Sequence, residues 1–385
     1  MTDIVVVGGG PIGLRFASES AKAGLDVLVL EEHKVIGKPV QCAGLVSPRV
    51  IEMTDTKSVV SREHTSFIHP PEGEPLKLES AEPKAVIIER TAFDRSMASK
   101  AVEAGVEMRL GATFLDSEFT GEERKIRYKE NGKTREISSR LLIGADGPFS
   151  RVRKTTGLPE PREYLAGLQA VIGRKAGGVE IFLGKDITPD FFGWSIPHPS
   201  GSLVGVASSD GNAFKHLDNL LVKLKSEKSV FALYAGVIPI GRLDSAVEDG
   251  VMLIGDAACQ IKPLSGGGLY PGLKSADYCC DVAVKCLKGD KNDRESMREY
   301  DDLWQADIGK EISKGLWLRR LFKGFKDKDL NNLISALKEE RVKSILENRG
   351  DIDYPSTLTK PVLKASPKLL KFAGPLIKNL FQPGK

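Results

Sequence analysis

Three glycines and one acidic residue near the start of the chain have the spacing of a phosphate- and ribose-binding site. The segment IVVVGGGPIGLRFASESAKAGLDVLVLEE places Gly8, Gly10 and Gly13 after one apolar run and Glu31 at the end of the next. Gly8 permits a tight turn, Gly10 lets a pyrophosphate approach the backbone, and Gly13 lets a helix pack on a strand. A carboxylate at Glu31 can bind ribose hydroxyls and disfavours a 2′-phosphate. The pattern predicts a dinucleotide site, for NAD or FAD.

Two later segments repeat an apolar run that ends in an acid and glycines. RLLIGADGPFSRVRKTTGL (140–158) carries Asp146 and Gly147, and VMLIGDAACQIKPLSGGGLYPGL (251–273) carries Asp256 and three consecutive glycines. NAD is held largely by one strand–helix–strand unit, whereas the longer FAD also draws contacts from later strands. An aspartate at a strand end can accept a ribityl hydroxyl, and glycines let a flavin ring approach the backbone. The three segments together favour FAD.

Length and composition indicate a soluble globular protein of two or three domains. The chain has 385 residues, 41% hydrophobic and 28% charged, which is more than one hydrophobic core usually organises. A net charge of +4 is too small to indicate a nucleic-acid partner. Scattered cysteines and the lack of a signal-like start predict a reducing, cytoplasmic setting. No apolar run reaches the roughly 18 residues that span a bilayer.

Four motifs, in order along the chain, resemble the flavoprotein superfamily that includes p-hydroxybenzoate hydroxylase: GGGPIG with Glu31, ERTAFDRSM around Arg90, GADGPFSRVR and GDAACQIKPLSGGG. Within that superfamily the chain is most similar to the geranylgeranyl reductase family. Three segments carry this resemblance: GKPVQCAG (37–44), PDFFGWSIP (189–197) and residues 303–325. It implies an FAD site made by Gly8, Gly10, Ile12, Gly13, Glu31, Cys42, Ala43, Arg90, Ala112, Asp256, Gly267, Gly268 and Leu269.

PDFFGWSIP resembles the substrate-cavity motif of that family, commonly PxxYxWxFP. Phe192 stands in place of the usual Tyr and Ile196 in place of the usual Phe, while Trp194 is retained. The resemblance implies that these three residues line a cavity for a long apolar substrate, and aromatic and aliphatic side chains suit such a cavity. The alternative is that they are sheet-core residues that face a helix.

The family resemblance implies that the enzyme reduces isolated carbon–carbon double bonds of geranylgeranyl chains. The substrate would be an isoprenoid lipid of archaeal ether-lipid biosynthesis, and the electron donor NAD(P)H or ferredoxin. Such chemistry needs a flavin hydride, alignment and exclusion of water, but no side-chain nucleophile. This agrees with the lack of a persuasive Ser/His/Asp arrangement.

Cys42 is the candidate catalytic side chain. In the family this cysteine lies beside the flavin, where it positions substrate or conveys a proton; the alternative is a buried small hydrophobe. The remaining cysteines (259, 279, 280 and 286) are expected to be structural. Neither the cysteines nor the histidines have metal-ligand spacing, so no metal is expected. His198, directly after the cavity motif, is the one histidine considered for a role.

The order of the motifs predicts an α/β (α+β) fold with interleaved domains. Residues 1–42, 85–160 and 238–290 are expected to form a discontinuous Rossmann-like FAD domain, and residues 43–84 and 161–237 an antiparallel-sheet substrate domain. Residues 291–385 are expected to form a C-terminal helical region with a basic tail. Arg90 is placed at a helix start, either beside the cofactor or on the helix surface.

Lysines and apolar residues alternate in the tail, PSTLTKPVLKASPKLLKFAGPLIKNLFQPGK. A short amphipathic helix of this composition would bind the inner face of the cell membrane, or its apolar stripe would cap the substrate domain. Two other functions fit the same cofactor segments. One is an NAD(P)H-dependent flavin monooxygenase, and the other is a flavin dehydrogenase that passes electrons to a quinone.

Overall fold

The computed structural model describes residues 2–372 of the chain. Its strands are β1 (Thr2–Val7), β2 (Val27–Glu31), β3 (Leu45–Val46), β4 (Val59–Glu63), β5 (Thr65–His69), β6 (Leu76–Glu79), β7 (Ala85–Ile88), β8 (Glu107–Leu110), β9 (Ala112–Phe119), β10 (Arg124–Glu130), β11 (Lys133–Gly144), β12 (Glu163–Ile172), β13 (Val179–Phe182), β14 (Gly193–His198), β15 (Gly201–Ser208), β16 (Val230–Ile240), β17 (Val247–Glu248) and β18 (Val251–Leu253). Its helices are α1 (Pro11–Lys22), α2 (Pro48–Thr54), α3 (Arg90–Glu103), α4 (Arg151–Thr155), α5 (Ala213–Lys223), α6 (Leu269–Lys288), α7 (Arg294–Trp304), α8 (Lys310–Gly324), α9 (Asp327–Leu337), α10 (Glu340–Arg349) and α11 (Thr359–Ala365). The part of the predicted tail helix beyond residue 372 lies outside the described residues.

The largest sheet places the three predicted cofactor segments side by side. Its order is β17-β18-β11-β1-β2-β8, and every pair from β18 to β8 is parallel. β10 extends it as an antiparallel partner of β11, and β9 pairs antiparallel with β10. Parallel strands are buried on both faces, which explains the continuous apolar runs of β1, β2 and β18. Because ligands bind at the carboxyl ends of such strands, one edge of this sheet carries the loops of all three motifs.

A seven-stranded sheet forms the second layer, in the order β16-β12-β15-β14-β13-β5-β6. Neighbouring strands are antiparallel except β5 and β13, which are parallel. This parallel pair departs from the predicted antiparallel arrangement, because β5 comes from the distant 43–84 segment. Helix α5 covers one face of the sheet through apolar side chains of β12 and β15.

A small antiparallel sheet of order β3-β7-β4 is formed by strands from residues 45–88. It contains residues 85–88, which the sequence places in the cofactor domain, as strand β7. The expected boundary at residue 238 falls inside β16. Both differences arise because strand pairing decides which sheet a segment joins. The paired strands are distant in the chain, so the positions of the motifs do not show this pairing.

The main hydrophobic core lies between the large sheet and helices α1, α3, α6 and α7. Trp304 and Tyr300 of α7 are fully buried in it, and the Tyr300 hydroxyl donates to the Leu253 carbonyl oxygen at 2.8 Å. Helix α7 therefore packs on the cofactor sheet, while α8 to α10 complete the predicted helical region. Within residues 2–372, no helix combines the length and the apolar character needed to cross a membrane.

Candidate cofactor site and adjoining cavity

The loop between β1 and α1 and the first turn of α1 contain two glycines that packing requires, Gly8 and Gly13, and one that it does not, Gly10. A Cβ at Gly13 would lie 2.2 Å from the Gly8 carbonyl oxygen, and a Cβ at Gly8, where φ is +110°, would lie 2.3 Å from the Ala145 carbonyl oxygen. A Cβ at Gly10 would meet no described atom within 4 Å. Gly10 precedes the N-terminus of α1, whose free N–H groups and positive dipole end attract phosphate. The absence of a side chain at Gly10 therefore fits close approach of a pyrophosphate.

Glu31 ends β2 and lies against the glycine loop. Its Oε2 accepts a hydrogen bond from the Gly9 N–H at 2.6 Å. Its Oε1 accepts from the His33 N–H at 2.8 Å and lies 2.6 Å from the His33 ring Nδ1. The carboxylate is thereby held at the expected ribose position, facing the cavity described below.

The acid of the second motif lines the cavity but is already hydrogen-bonded by the protein. The Asp146 carboxylate accepts hydrogen bonds from the Ser150 hydroxyl at 2.6 Å and from the N–H groups of Arg151 and Val152 at 2.7 and 3.1 Å. Burial raises the pKa of Asp146, and these hydrogen bonds partly offset the rise. Because the protein itself satisfies both oxygens, Asp146 shapes the loop that begins α4.

Arg153 connects the second motif to the third. It is 1% exposed, and its guanidinium donates to the carbonyl oxygens of Pro148 and Ala257 at 2.9 Å each. It also pairs with the Glu160 carboxylate at 2.7 Å. This buried cation therefore holds the GADGP and GDAA loops together. Local propensity alone would not bring the two loops into contact.

Asp256 differs from Asp146 because its carboxylate accepts no hydrogen bond from the described residues. Burial raises the pKa of Asp256 to about 6, and the positive charge of Arg90 opposes the rise. A Cβ at Gly268 would lie 2.9 Å from the Asp256 Oδ1 atom, so only glycine leaves this oxygen accessible. A carboxylate that lines the cavity and has no donor among the described residues fits a ligand that brings hydroxyl groups, as the ribityl chain of FAD does.

Cys42 lies on a loop packed against the start of α3. Its Sγ accepts from the Gly44 N–H at 3.4 Å, and a Cβ at Gly44 would lie 2.4 Å from the Ile88 carbonyl oxygen. The Arg90 guanidinium lies beside the thiol and donates to Asp94 at 3.1 Å. Burial lowers the pKa of Arg90, but Cys42 and Asp94 outweigh it and raise the pKa overall. Arg90 thus lines the cavity with a side chain that is 14% exposed, and its contact with the cofactor stays a prediction.

One cavity of about 1460 Å³ joins the cofactor residues to the sheet of the substrate domain. Small-molecule sites typically measure ~300–1,000 Å³, so this cavity has room for a cofactor and a second ligand. Phe192, Trp194 and Ile196 line it. The ring centroids of Phe191 and Phe192 are 4.2 Å apart in a stacked pair, and Phe192 meets Trp194 edge-on at 6.2 Å. The cavity motif therefore forms an aromatic wall.

Two polar atoms in this wall have no hydrogen-bond partner within the described residues: the Gln169 Oε1 and the Trp194 Nε1. Gly205 separates their side chains, since a Cβ there would lie 2.4 Å from the Trp194 Cζ2 and 2.8 Å from the Gln169 Cβ. Both residues line the cavity. They provide one acceptor and one donor within an otherwise apolar surface.

The structure brings together nearly all of the predicted site residues. Those that line the cavity are Gly8, Gly10, Ile12, Glu31, Cys42, Ala43, Arg90, Ala112, Phe192, Trp194, Ile196, Asp256, Gly267, Gly268 and Leu269. Gly13 is not among the lining residues and packs behind the loop. His198 is also outside the lining, and its Nδ1 accepts from the Ser200 N–H at 3.2 Å. Among residues 2–372, no cluster of His, Cys, Asp and Glu could hold a metal ion.

The lining residues that were not predicted include His33, Lys262 and Gln169. His33 follows the strand-ending acid by two residues, and Gln169 is the one polar side chain within GLQAVI, so both carried a local signal. Lys262 carried none, because its partners are distant. Its ammonium group donates to the Ile352 carbonyl oxygen at 2.9 Å and to Asp353 at 2.8 Å, which fastens the C-terminal segment over the glycine-rich loop.

Sequence comparisons agree with a flavin site. A family model described as FAD binding domain matches residues 1–175. The chain is 31% identical over 375 residues to an uncharacterised protein of Methanocaldococcus jannaschii, with 94% of this chain and 95% of the relative covered. It is 29% identical over 394 residues to digeranylgeranylglycerophospholipid reductase 2 of Methanococcoides burtonii, covering 96% of this chain and 94% of the relative.

Solved structures with the same fold include proteins of several activities. A geranylgeranyl bacteriochlorophyll reductase-like protein of Thermoplasma acidophilum superposes with a TM-score of 0.87 at 24% identity, over 97% of this chain and 99% of that one. Anhydrotetracycline hydroxylase of Streptomyces rimosus superposes with a TM-score of 0.67 at 20% identity, over 90% of this chain and 75% of the hydroxylase. At these identities the structural likeness establishes the fold alone.

Proposed function

As the chain belongs to the geranylgeranyl reductase family of FAD-dependent oxidoreductases, we propose that it reduces carbon–carbon double bonds of geranylgeranyl chains in an archaeal membrane ether lipid. The relatives that match it nearly end to end include digeranylgeranylglycerophospholipid reductases. The observation that carries the proposal is the single cavity in which an aromatic and aliphatic wall adjoins the cofactor residues. A long hydrocarbon chain suits such a wall because few polar groups must be desolvated to bind it.

The residues that would hold FAD are those whose hydrogen-bonding groups or backbone face the cavity. Gly10 and the N-terminus of α1 suit the pyrophosphate, Glu31 the ribose, and Asp256 the ribityl hydroxyls. When bound and reduced, FAD supplies the hydride for the alkene. The protein supplies position and a dry environment, and no protein nucleophile is needed.

The cavity wall orients the substrate and keeps water out. Phe192 and Trp194 present aromatic surfaces, and Ile196, only 1% exposed, closes the wall behind them. An unactivated alkene needs a well-aligned donor, so a wall that limits the poses of the chain raises the fraction that can react. Phe192 has no hydroxyl, so any proton for the second alkene carbon comes from another group, and Cys42 beside Arg90 is the candidate.

Reduction of a defined lipid tests the proposal. The FAD-loaded protein is reduced with dithionite under argon, mixed with digeranylgeranylglycerophospholipid, and the lipid mass is followed. We expect the mass to rise in steps of one hydrogen molecule per double bond. Dithionite replaces the physiological donor, which we propose to be NAD(P)H or ferredoxin, so the result does not depend on the donor.

Two controls define the outcome. The Gly10→Ala variant, which cannot bind the pyrophosphate closely, should leave the lipid mass unchanged under the same conditions. Fully reduced flavin in the wild-type protein with an unchanged lipid mass would contradict the proposal. Addition of one oxygen atom in air with NAD(P)H would instead identify the monooxygenase alternative.

A further inference from the structure

The open edge of the seven-stranded sheet exposes large apolar side chains. β16 is the edge strand, and its alternate residues Phe231 and Leu233 are 65% and 54% exposed. Phe214, in the first turn of α5, is 72% exposed. Single exposed apolar residues are ordinary, whereas neighbouring ones mark a surface that binds something.

Strand register shows that Leu233 lies next to α5. It is paired with Ala170 of β12, and Ala170 is on the sheet face that α5 covers. Because cross-strand partners point to the same face, Leu233 extends the apolar surface beyond the helix. Phe231 lies beside Gly173, where a Cβ would be 3.4 Å from the phenyl ring. We call Phe214, Phe231, Leu233 and the loop between α5 and β16 the β16 edge.

The end of α5 and the loop of the β16 edge are basic overall. Residues 223–228 expose three lysines, Lys223, Lys225 and Lys228, and one acid, Glu227, and Lys215 is exposed in the first turn of α5. The ion pairs that the described residues form nearby, Arg174–Glu180 and His216–Asp210, do not involve these lysines. Lysines with charged ends in water beside exposed phenyl rings are the composition that binds anionic lipid surfaces.

The β16 edge is continuous with an opening of the cavity. Phe214 and Ala235 both line the cavity, and both are exposed. A ligand that leaves a surface bound at the β16 edge therefore meets the cavity without crossing open water.

We propose that the β16 edge docks the protein on an anionic lipid bilayer, with Phe231 and Leu233 in the interface and the lysines against the head groups. This rests on the proposed function, since a lipid substrate resides in the membrane. A second copy of the chain is the other occupant that an edge strand can accept. In a symmetric dimer the same lysines would face one another and repel, so the charges favour the lipid surface.

Cosedimentation with vesicles tests the docking. Full-length, FAD-loaded protein is mixed with vesicles of phosphatidylcholine, with and without phosphatidylglycerol. We expect binding only to the anionic vesicles. Two variants should each lose about tenfold in partitioning to these vesicles. One is the double variant Phe231→Ser and Leu233→Ser, and the other is the triple variant Lys223→Glu, Lys225→Glu and Lys228→Glu. Matched controls are Val102→Ser, at a residue 56% exposed on α3, and glutamates at the exposed Lys125, Lys129 and Lys133. Controls that lose as much binding as the edge variants would overturn the proposal.

A fluorescent residue reports insertion directly. Phe231→Trp should gain blue-shifted emission that brominated phosphatidylcholine quenches, relative to the wild-type tryptophan background. Unquenched emission, or a wild-type dimer that the edge variants convert to a monomer without any vesicle binding, would also overturn it.

Failure of docking and failure of the proposed function are separable. Detergent-dispersed lipid reports reduction without a bilayer, so edge variants should keep the wild-type rate there and lose it only on vesicles. An inactive enzyme that still binds vesicles would refute the reductase function and leave the docking intact. An active enzyme that never binds vesicles would refute the docking alone.

Discussion

Arg319 of α8 donates a hydrogen bond to the Asp190 backbone carbonyl oxygen at 2.8 Å and pairs with the Asp190 carboxylate at 3.3 Å. Both residues are buried, and the guanidinium lies 5.6 Å from the centroid of the Phe191 ring. The C-terminal helical region thereby holds the start of the cavity motif.

Arg319→Met should misplace the aromatic wall. Removing one member of a buried ion pair leaves the other charge unpaired and costs roughly 3–5 kcal/mol of unfolding free energy. We expect KM for the lipid to rise while the affinity for FAD, measured by flavin fluorescence, is unchanged. The adjacent and exposed Arg320→Met is the control and should alter neither quantity. An equal loss of FAD affinity in Arg319→Met would show that the contact supports the whole protein and not the cavity.

The two classes of glycine in the first motif should respond differently to alanine. Gly10→Ala is expected to keep the wild-type thermal unfolding temperature of the FAD-free protein and to lose FAD binding by at least about tenfold, because the methyl group occupies the pyrophosphate position. Gly13→Ala is expected to lower the unfolding temperature of the FAD-free protein, because the methyl group would meet the Gly8 carbonyl oxygen. Calorimetry and flavin titration separate the two effects. Equal destabilisation by both substitutions would contradict the assignment of Gly10 to a ligand.

Asp256 should make the FAD-free protein lose stability as pH rises. Its pKa is raised from 3.8 to about 6, so the folded protein binds this proton more tightly than the unfolded chain does. The stabilisation is complete below about pH 4 and is lost as the pH passes through 6. Asp256→Asn removes this loss, and we expect the variant to be more stable than wild type by up to about 2 kcal/mol near pH 8. Urea unfolding at several pH values measures the difference, and a variant advantage that is largest at low pH would contradict it.

Gln169→Leu should stabilise the FAD-free protein. The Gln169 Oε1 is buried without a partner in the described residues, and an unsatisfied buried acceptor costs ~1–3 kcal/mol. Leucine has a similar volume and no polar atom, so the unfolding temperature should rise. Asn219→Leu provides the contrast. The Asn219 amide donates to the Asp186 carbonyl oxygen at 2.8 Å, so its removal should lower the unfolding temperature. A lower unfolding temperature for Gln169→Leu would indicate that water satisfies the amide.

Cys42→Ala should separate catalysis from cofactor binding. The thiol lies beside Arg90, and removal of a proton-transfer group typically slows a reaction ~100-fold or more. We expect kcat to fall while FAD affinity and unfolding temperature stay near wild type. Cys280→Ala, at a buried cysteine of α6, is the matched control and should change stability without slowing turnover selectively. A Cys42→Ala enzyme with the wild-type kcat would assign the residue to packing.

The sequence by itself determined the cofactor domain, because its signals are local. A turn that only glycine can adopt at Gly8, a helix that begins directly after the loop, and an acid that ends the next strand all lie within one strand–helix–strand unit. The same holds for the apolar runs of β11 and β18, which parallel strands bury on both faces. FAD could therefore be predicted from the residues, whereas the cavity motif was predicted from the resemblance to the family.

Only the tertiary structure decided which of the acids and cations the protein itself satisfies. Asp146 and Asp256 follow strands in the same way and both line the cavity, yet backbone and hydroxyl donors satisfy the first, while the second accepts no hydrogen bond from the described residues. Arg153, Arg319 and Lys262 owe their roles to carbonyl oxygens and carboxylates that are distant in the chain, and the exposure of the β16 edge depends on which strand has no outer neighbour. These partners come into contact only when the chain folds and closes long loops, so the local spacing of residues does not predict them.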